Sequence, residues 1–223
     1  MSQLKKESFD FLEDLKLNNN RPWFEENKNR YEATKEDFTE FIAALLPKIY
    51  SIEPITLKEP KKYLFRIYRD VRFSKDKSPY KTNMGASIER GPEGKMCGFY
   101  LHLENNQCFA GGGIWQPQPD VLKKVRQEID YNGSDLHKIL SDKAFKEMFG
   151  AIGGDFGTEK LARPPKGYEA DNPNIELLKL KNYVIGRKFE MHDVLSDQFV
   201  DMVAETYQTA LPFFRFFDIV QAE

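Results

Sequence analysis

No window of this 223-residue chain approaches the 18 or more uncharged apolar residues that a bilayer-spanning helix needs. The opening Met1-Ser-Gln-Leu-Lys-Lys-Glu7 also lacks the apolar stretch of a secretory signal. A cytoplasmic location is therefore expected. The three histidines, His102, His137 and His192, are widely spaced, and neither C-x-x-C nor H-E-x-x-H occurs, so no dedicated transition-metal site is expected. G-x-x-x-x-G-K-[ST] and G-x-G-x-x-G are missing as well, which disfavours nucleotide hydrolysis of the familiar kinds and leaves no cofactor to expect. Ser74, Ser78 and Ser87 have no recognisable nucleophile setting.

Cysteine is scarce too: only Cys97 and Cys108 are present. If residues 97–104 and 107–114 form a hairpin through Asn105-Asn106, Cys97 falls opposite Ile114 and Cys108 opposite Leu103. The sulfurs then lie roughly 20 Å apart at about 3.3 Å per residue, too far to bridge. Two free thiols on buried strand positions are predicted.

What the chain does have is core material. Apolar residues make up 40%, and Phe alone occurs 18 times, enough to organise one domain over residues 1–223 with no compositional sign of disorder. The net charge of −2 hides an asymmetry. Residues 61–81 carry eight Lys or Arg against Asp70 and Asp76, a local +6, so the rest of the chain is −8. Such a patch collects anions on an otherwise acidic protein.

Periodicity places a helix over about residues 5–17, where Leu4, Phe11, Leu12 and Leu15 share a face, and Asn18-Asn19-Asn20 ends it. A second helix begins at Pro22 and carries Tyr31, Phe38, Ile42, Leu45 and Ile49 inward, with Pro47 predicting a kink or an early end. The period then changes from 3.6 to 2. Residues 63–68 read as a strand, residues 74–83 as a loop and residues 84–89 as a second strand. Gly91 to Gly94 reads as a turn, and the hairpin follows. It sets Cys97, Phe99, Leu101 and Leu103 on one face and Tyr100, His102 and Glu104 on the other.

The run Gly111-Gly-Gly113 marks a bulge or the close approach of another backbone. Helices follow from Pro119 to about Tyr131 and within residues 134–149, then a long ordered loop over 150–174, with a helix start at Asn172-Pro173. Residues 181–189 form a further strand. Ser196 reads as the N-cap of a helix faced by Phe199, Val203 and Tyr207, and the Phe-rich residues 211–220 pack after it. The predicted class is α+β: a central antiparallel sheet of about four to five strands, flanked by an N-terminal helical hairpin and C-terminal helices.

The densest chemistry lies in Arg66-x-x-Arg69-Asp70-x-Arg72-Phe73-x-x-x-Lys77-x-Pro79-Tyr80-Lys81. Guanidinium forks match phosphate or carboxylate oxygens bidentately, and Lys77 and Lys81 add point charges. Asp70 can orient an arginine or act as a base, and Tyr80 offers a ring to stack on or a hydroxyl to donate. Arg66, Arg69, Arg72, Lys77, Tyr80 and Lys81 are the candidate ligand-binding residues. Asp70, Tyr80 and His102 are candidates for catalysis, His102 because the hairpin puts it beside Tyr100 away from the apolar face.

This pattern resembles the signature of a mainly bacterial family of conserved hypothetical proteins, domain of unknown function 2461. Asn18-Asn-Asn-Arg-Pro-Trp-Phe24 with Asn27-Lys28 and Tyr31 also match, as do Gly111-Gly-Gly113 and Pro165-Lys-Gly-Tyr168 with Asn172-Pro173. The resemblance implies that the cationic patch is a feature of a family; it brings no activity with it.

Three readings of the patch stay open. In the first, it binds a small phosphorylated or carboxylated ligand. In the second, cations interleaved with Tyr63, Phe65, Tyr68, Phe73 and Tyr80 bind single-stranded nucleic acid. In the third, the arginines are paired internally and the protein is a structural or interaction domain.

Overall fold

Helix α1 (Lys6–Leu17) opens the fold in a computed structural model that describes residues 3–91, 95–156 and 158–218. Its own N-cap, Lys5, supplies no side-chain acceptor. One backbone donor is met from a distance instead: buried Asp37 accepts from the Lys5 N–H (3.0 Å), and the Ser8 hydroxyl donates to the same carboxylate (2.6 Å). The predicted second helix is two helices. Short α2 (Arg21–Glu26), capped by the Asn20 side chain on the Trp23 N–H, breaks at Asn27 before the long α3 (Lys28–Ile52). Pro47 does not end α3; Leu45 and Ile49, both fully buried, hold the turns around it, so packing overrides the lost hydrogen bond.

Four strands form one antiparallel sheet in the order β1 (Met84–Ile88), β2 (Gly98–Leu103), β3 (Cys108–Ile114), β4 (Tyr183–Phe189). The β2–β3 hairpin has the register its sequence predicts, with Leu101 opposite Ala110 and His102 opposite Phe109. Asn106 takes the left-handed conformation that Asn tolerates (φ 58°), and the Gln107 N–H closes the turn on the Glu104 carbonyl (3.1 Å). Cys97 and Cys108 are buried free thiols, and burial pushes Cys108 up to about 12.

Residues 63–68 are not a strand of this sheet. They run beside β1 and the residues before it through separate contacts, Phe65 N–H to the Gly85 carbonyl (2.8 Å), Ser87 N–H to the Tyr63 carbonyl (3.0 Å) and Lys81 N–H to the Ile67 carbonyl (2.7 Å). The pairing of Leu64 with Ala86 and that of Tyr68 with Tyr80 are offset by two residues, so no continuous ladder forms.

Helix α4 (Pro119–Ser141) bends at Asn132 (φ −113°, ψ 21°), close to the break its sequence predicts. Asp142 then caps α5 (Lys143–Phe149) through the Phe145 N–H. After the long loop come α6 (Ile175–Leu178), β4, α7 (Met191–Val194) and α8 (Phe199–Phe216). Ser196 does not cap α8; its hydroxyl bonds back to the Asp193 carbonyl (2.7 Å) and finishes α7 instead. The Phe-rich end predicted over 211–220 belongs to α8 as far as Phe216, and Val220 and part of the predicted 91–94 turn lie outside the described residues.

Helix α8 covers one face of the sheet, where Phe99 meets Tyr207 (ring centroids 4.5 Å apart) and Phe214 (5.6 Å), and α3 packs on α8. Just after β1, Arg90 is fully buried on the Phe214 ring. It donates to Glu53 (2.9 Å) and to both oxygens of Asp218 (2.9 and 3.0 Å), while Arg215 holds the other Glu53 oxygen (2.6 Å). Burial pushes the Glu53 carboxyl up, but the bonds from Arg215 and Arg90 outweigh it, and the group sits below the usual carboxylate range.

Candidate functional site

The opposite face of the sheet combines a run of glycines with the side chains of Tyr100, His102, Phe109 and Lys188. Residues paired across neighbouring strands share a face, so the register puts Gly85, Gly98, Gly111, Gly113 and Gly186 on one side, with Ser87 and Val184. The floor is backbone. At Gly111 a β-carbon would come within 2.1 Å of the Ile185 carbonyl oxygen, which is the close backbone approach the glycine run predicts; Gly113 (φ 125°) has the same contact with the Tyr183 carbonyl.

Aromatic rings wall this floor. Phe65, Tyr100, Phe109, Trp115 and Phe156 line a cavity of about 820 Å³. Trp115 is 58% exposed and Phe65 47%, so both rings offer apolar surface to solvent. Phe156 packs on Phe109 (4.6 Å) and over Gly186, where a β-carbon would meet its ring at 2.7 Å. A second cavity of about 700 Å³ lies on the other side of Phe156, between α5, β4 and α8. Its guanidinium, Arg187, is already engaged by Glu205 (3.1 Å).

Tyr100, His102 and Glu104 alternate along β2 and its end, and all three point to this face. The Tyr100 hydroxyl is 3.0 Å from His102 Nδ1, and His102 Nε2 is 3.2 Å from a Glu104 oxygen. Thr82 donates to the other Glu104 oxygen (3.1 Å), and Asn83 Nδ2 lies 3.4 Å from Nδ1. The imidazole stacks on Phe109, 4.8 Å away and 14° from parallel. Burial chiefly, then the Glu104 charge, pushes Tyr100 above the ordinary phenol range; burial lowers His102 against the opposing pull of Glu104.

The cationic motif divides into three parts. Arg69 pairs with Asp76, whose carboxyl is held well below its usual range by the Ser78 hydroxyl first and Arg69 second. Arg72 grips Asp70 with Nε (3.0 Å) and Nη2 (2.7 Å), and Lys77 donates to the Val71 carbonyl (2.9 Å). Tyr80 is 3% exposed, its ring stacked on Phe24 at 4.0 Å, and the Asn19 side chain both accepts from its N–H (3.1 Å) and donates to its carbonyl (3.0 Å).

One further cation of the motif, Lys81, lies against the cavity wall. The Lys81 ammonium lies 5.3 Å over the Phe65 ring, its pKa lowered by burial and then by the Arg66 charge. Neither Arg66 nor Lys81 has an ion pair among the described residues. The sequence pattern points to Arg66, Lys81 and His102 but not to Phe65, Trp115 and Phe156 as cavity walls. The signal for Phe65 was its place beside Arg66; for Phe156 no local signal existed.

Among the described residues no group of three or more His, Cys, Asp or Glu is arranged to hold a metal ion, and no helix is long and apolar enough to cross a membrane. A family model described as conserved hypothetical protein (DUF2461) matches residues 7–216. No curated protein and no solved structure matches the chain.

Proposed function

We propose that this chain, which belongs to the conserved hypothetical protein family DUF2461, binds a small phosphorylated or carboxylated molecule in the cavity on the outer face of its sheet. The flat or apolar part of the ligand lies over the glycine floor against Phe65 and Trp115, and its anionic part reaches Lys81 and Arg66. One observation carries this reading: Phe65 is at once a wall of the cavity and the ring beneath the Lys81 ammonium. It joins the cationic motif to the aromatic trough. The cavity volume falls within the range usual for small-molecule sites, which combine apolar walls with a few placed polar groups. A lysine whose charged form is disfavoured by burial and by a neighbouring arginine gains from an arriving anion.

A thermal-shift panel of inorganic phosphate, sugar phosphates, nucleoside monophosphates and dicarboxylates tests it. Ligand at about 100 times its Kd stabilises by about 2.7 kcal/mol, roughly 5–10 °C for a chain of this size. Compounds with a flat ring should give the larger shift and quench Trp115 fluorescence. A panel in which no compound moves the melting temperature overturns the reading.

A second reading has its own support. Phe73 is 95% exposed with the Arg72 guanidinium 5.8 Å from its ring centroid, and Tyr68 is 52% exposed nearby in sequence. Such rings stack bases of single-stranded nucleic acid. Under that reading, oligonucleotide binding appears and falls steeply with salt as counterions are released.

A further inference from the structure

We propose that Tyr100 is a catalytic acid–base group of the outer-face cavity, with His102 holding its hydroxyl proton and Glu104 orienting the imidazole. The inference rests on the cavity being the ligand site, and it adds a reaction class to that site: proton transfer from and to an acidic O–H or C–H of a phosphorylated or carboxylated substrate.

The hydrogen-bond directions are set by the partners. Glu104, a carboxylate, accepts only, so the His102 nitrogen facing it carries the proton: Nε2–H donates and Nδ1 keeps its lone pair. Nδ1 then accepts from the Tyr100 hydroxyl at 3.0 Å, and the Asn83 amide, also a donor, faces the same nitrogen. Thr82 fixes the second carboxylate oxygen, and Phe109 fixes the ring plane. Of the three members, Tyr100 is the one that lines the cavity. The row therefore runs from the ligand space, through an imidazole of fixed tautomer, to a carboxylate, the arrangement by which a base is oriented and its cationic form stabilised.

In the forward step the substrate X–H proton moves to the Tyr100 oxygen while the phenol proton moves to Nδ1. The bonding electron pair stays on X, and the imidazolium that forms faces Glu104. Nothing is oxidised or reduced, and reversal returns a proton to the same or a neighbouring substrate atom. The raised Tyr100 and lowered His102 keep both groups neutral at rest, so the proton shifts only as charge develops at the phenol oxygen. His102 and Glu104 touch no substrate and act through Tyr100 as positioning residues.

An aryl sulfonyl fluoride tests this without the substrate. The phenol oxygen forms a bond to sulfur, the S–F bond breaks, fluoride leaves, and the phenol proton passes to Nδ1. At pH 7.5 Tyr100 should label about 100-fold faster than Tyr131, which is 89% exposed, since base assistance contributes about 10²–10⁴. His102→Gln and Glu104→Gln should each lower the Tyr100 rate at least about tenfold. Added imidazole should restore it in His102→Gly, a rescue that repair of folding alone does not produce.

The wild-type pH profile gives a check free of variants. Tyr100 labelling should stay flat from pH 7 to 9, where neutral His102 is the base, whereas a phenol labelled without base assistance reacts about tenfold faster per pH unit. The groups facing His102 are Tyr100 from its own strand, Glu104 just after it, Asn83 before β1 and Phe109 from β3; Thr82 faces Glu104, and Lys188 of β4 lies over Phe156. Equal rates at Tyr100 and Tyr131, or a Tyr100 rate that climbs about tenfold per pH unit, overturns the proposal. Thermal shifts with the full anion panel, measured alongside, separate the two readings. Shifts without selective labelling sink the proton relay alone, whereas selective labelling with no shift from any compound sinks the binding reading and, with it, the phosphorylated or carboxylated substrate of the relay.

Discussion

Gly85 of β1 stands opposite His102 of β2, and a β-carbon there would come within 3.1 Å of both the Tyr100 hydroxyl and the Phe65 ring. That spacing is tighter than ordinary van der Waals contact, so any side chain at this position displaces one or both. The missing side chain of β1 is what lets a phenol and an imidazole two residues apart on β2 meet.

Gly85→Ala should therefore push the Tyr100 hydroxyl away from His102 at a stability cost of about 1–3 kcal/mol. Ring-nitrogen NMR of His102 reads the effect directly: the Nδ1 resonance should move toward that of a nitrogen accepting no hydrogen bond. A spectrum identical to wild type would show that the two groups do not depend on this gap.

Arg90→Ala should cost about 3–5 kcal/mol, because it leaves the buried Glu53 carboxylate short of a partner. Urea unfolding at pH 7 measures it. The same site predicts part of the acid sensitivity. The Glu53 pKa is depressed in the folded chain, so its contribution to stability is present above the unfolded value near 4.5 and is lost as pH falls through the folded value. Unfolding free energies of Glu53→Gln should accordingly change less than those of wild type between pH 5 and 3.

The cations of the motif should separate into two groups. Arg69→Ala and Arg72→Ala break exposed pairs with Asp76 and Asp70, which at such positions are worth about 0–1 kcal/mol. Melting temperature and ligand shift should both change little. Arg66→Ala and Lys81→Ala should leave melting temperature nearly unchanged but weaken binding about tenfold or more, the loss of one charge-assisted contact. Isothermal titration with whichever nucleoside monophosphate shifts melting most decides it; equal losses across all four variants would favour a broad electrostatic surface over a cavity.

The hairpin of β2 and β3 was legible because alternation and turn chemistry act between near neighbours. Two asparagines between alternating runs set the register, and the register set which side chains share a face. The outward placement of Tyr100, His102 and Glu104 followed. The same local logic failed at residues 63–68, where alternation was present but the offset of two residues against residues 80–86 broke the ladder. It failed again at Ser196, where a capping residue served the helix before it, and of the two outcomes predicted at Pro47 the early end did not occur, because the buried neighbours of α3 outvoted the proline.

The charge of the 61–81 segment, the freedom of both thiols and the antiparallel α+β class are properties of composition and short-range pattern, and the amino-acid sequence settles them without help. Which arginine meets which aspartate is different in kind, as is the hold of Asn19 on Tyr80 from 61 positions away and the seating of Phe156 over Gly186. Each depends on where distant segments pack, and packing energies summed over the whole core decide that. Only the tertiary structure brings Lys81 onto Phe65 and so joins a basic motif to an aromatic trough.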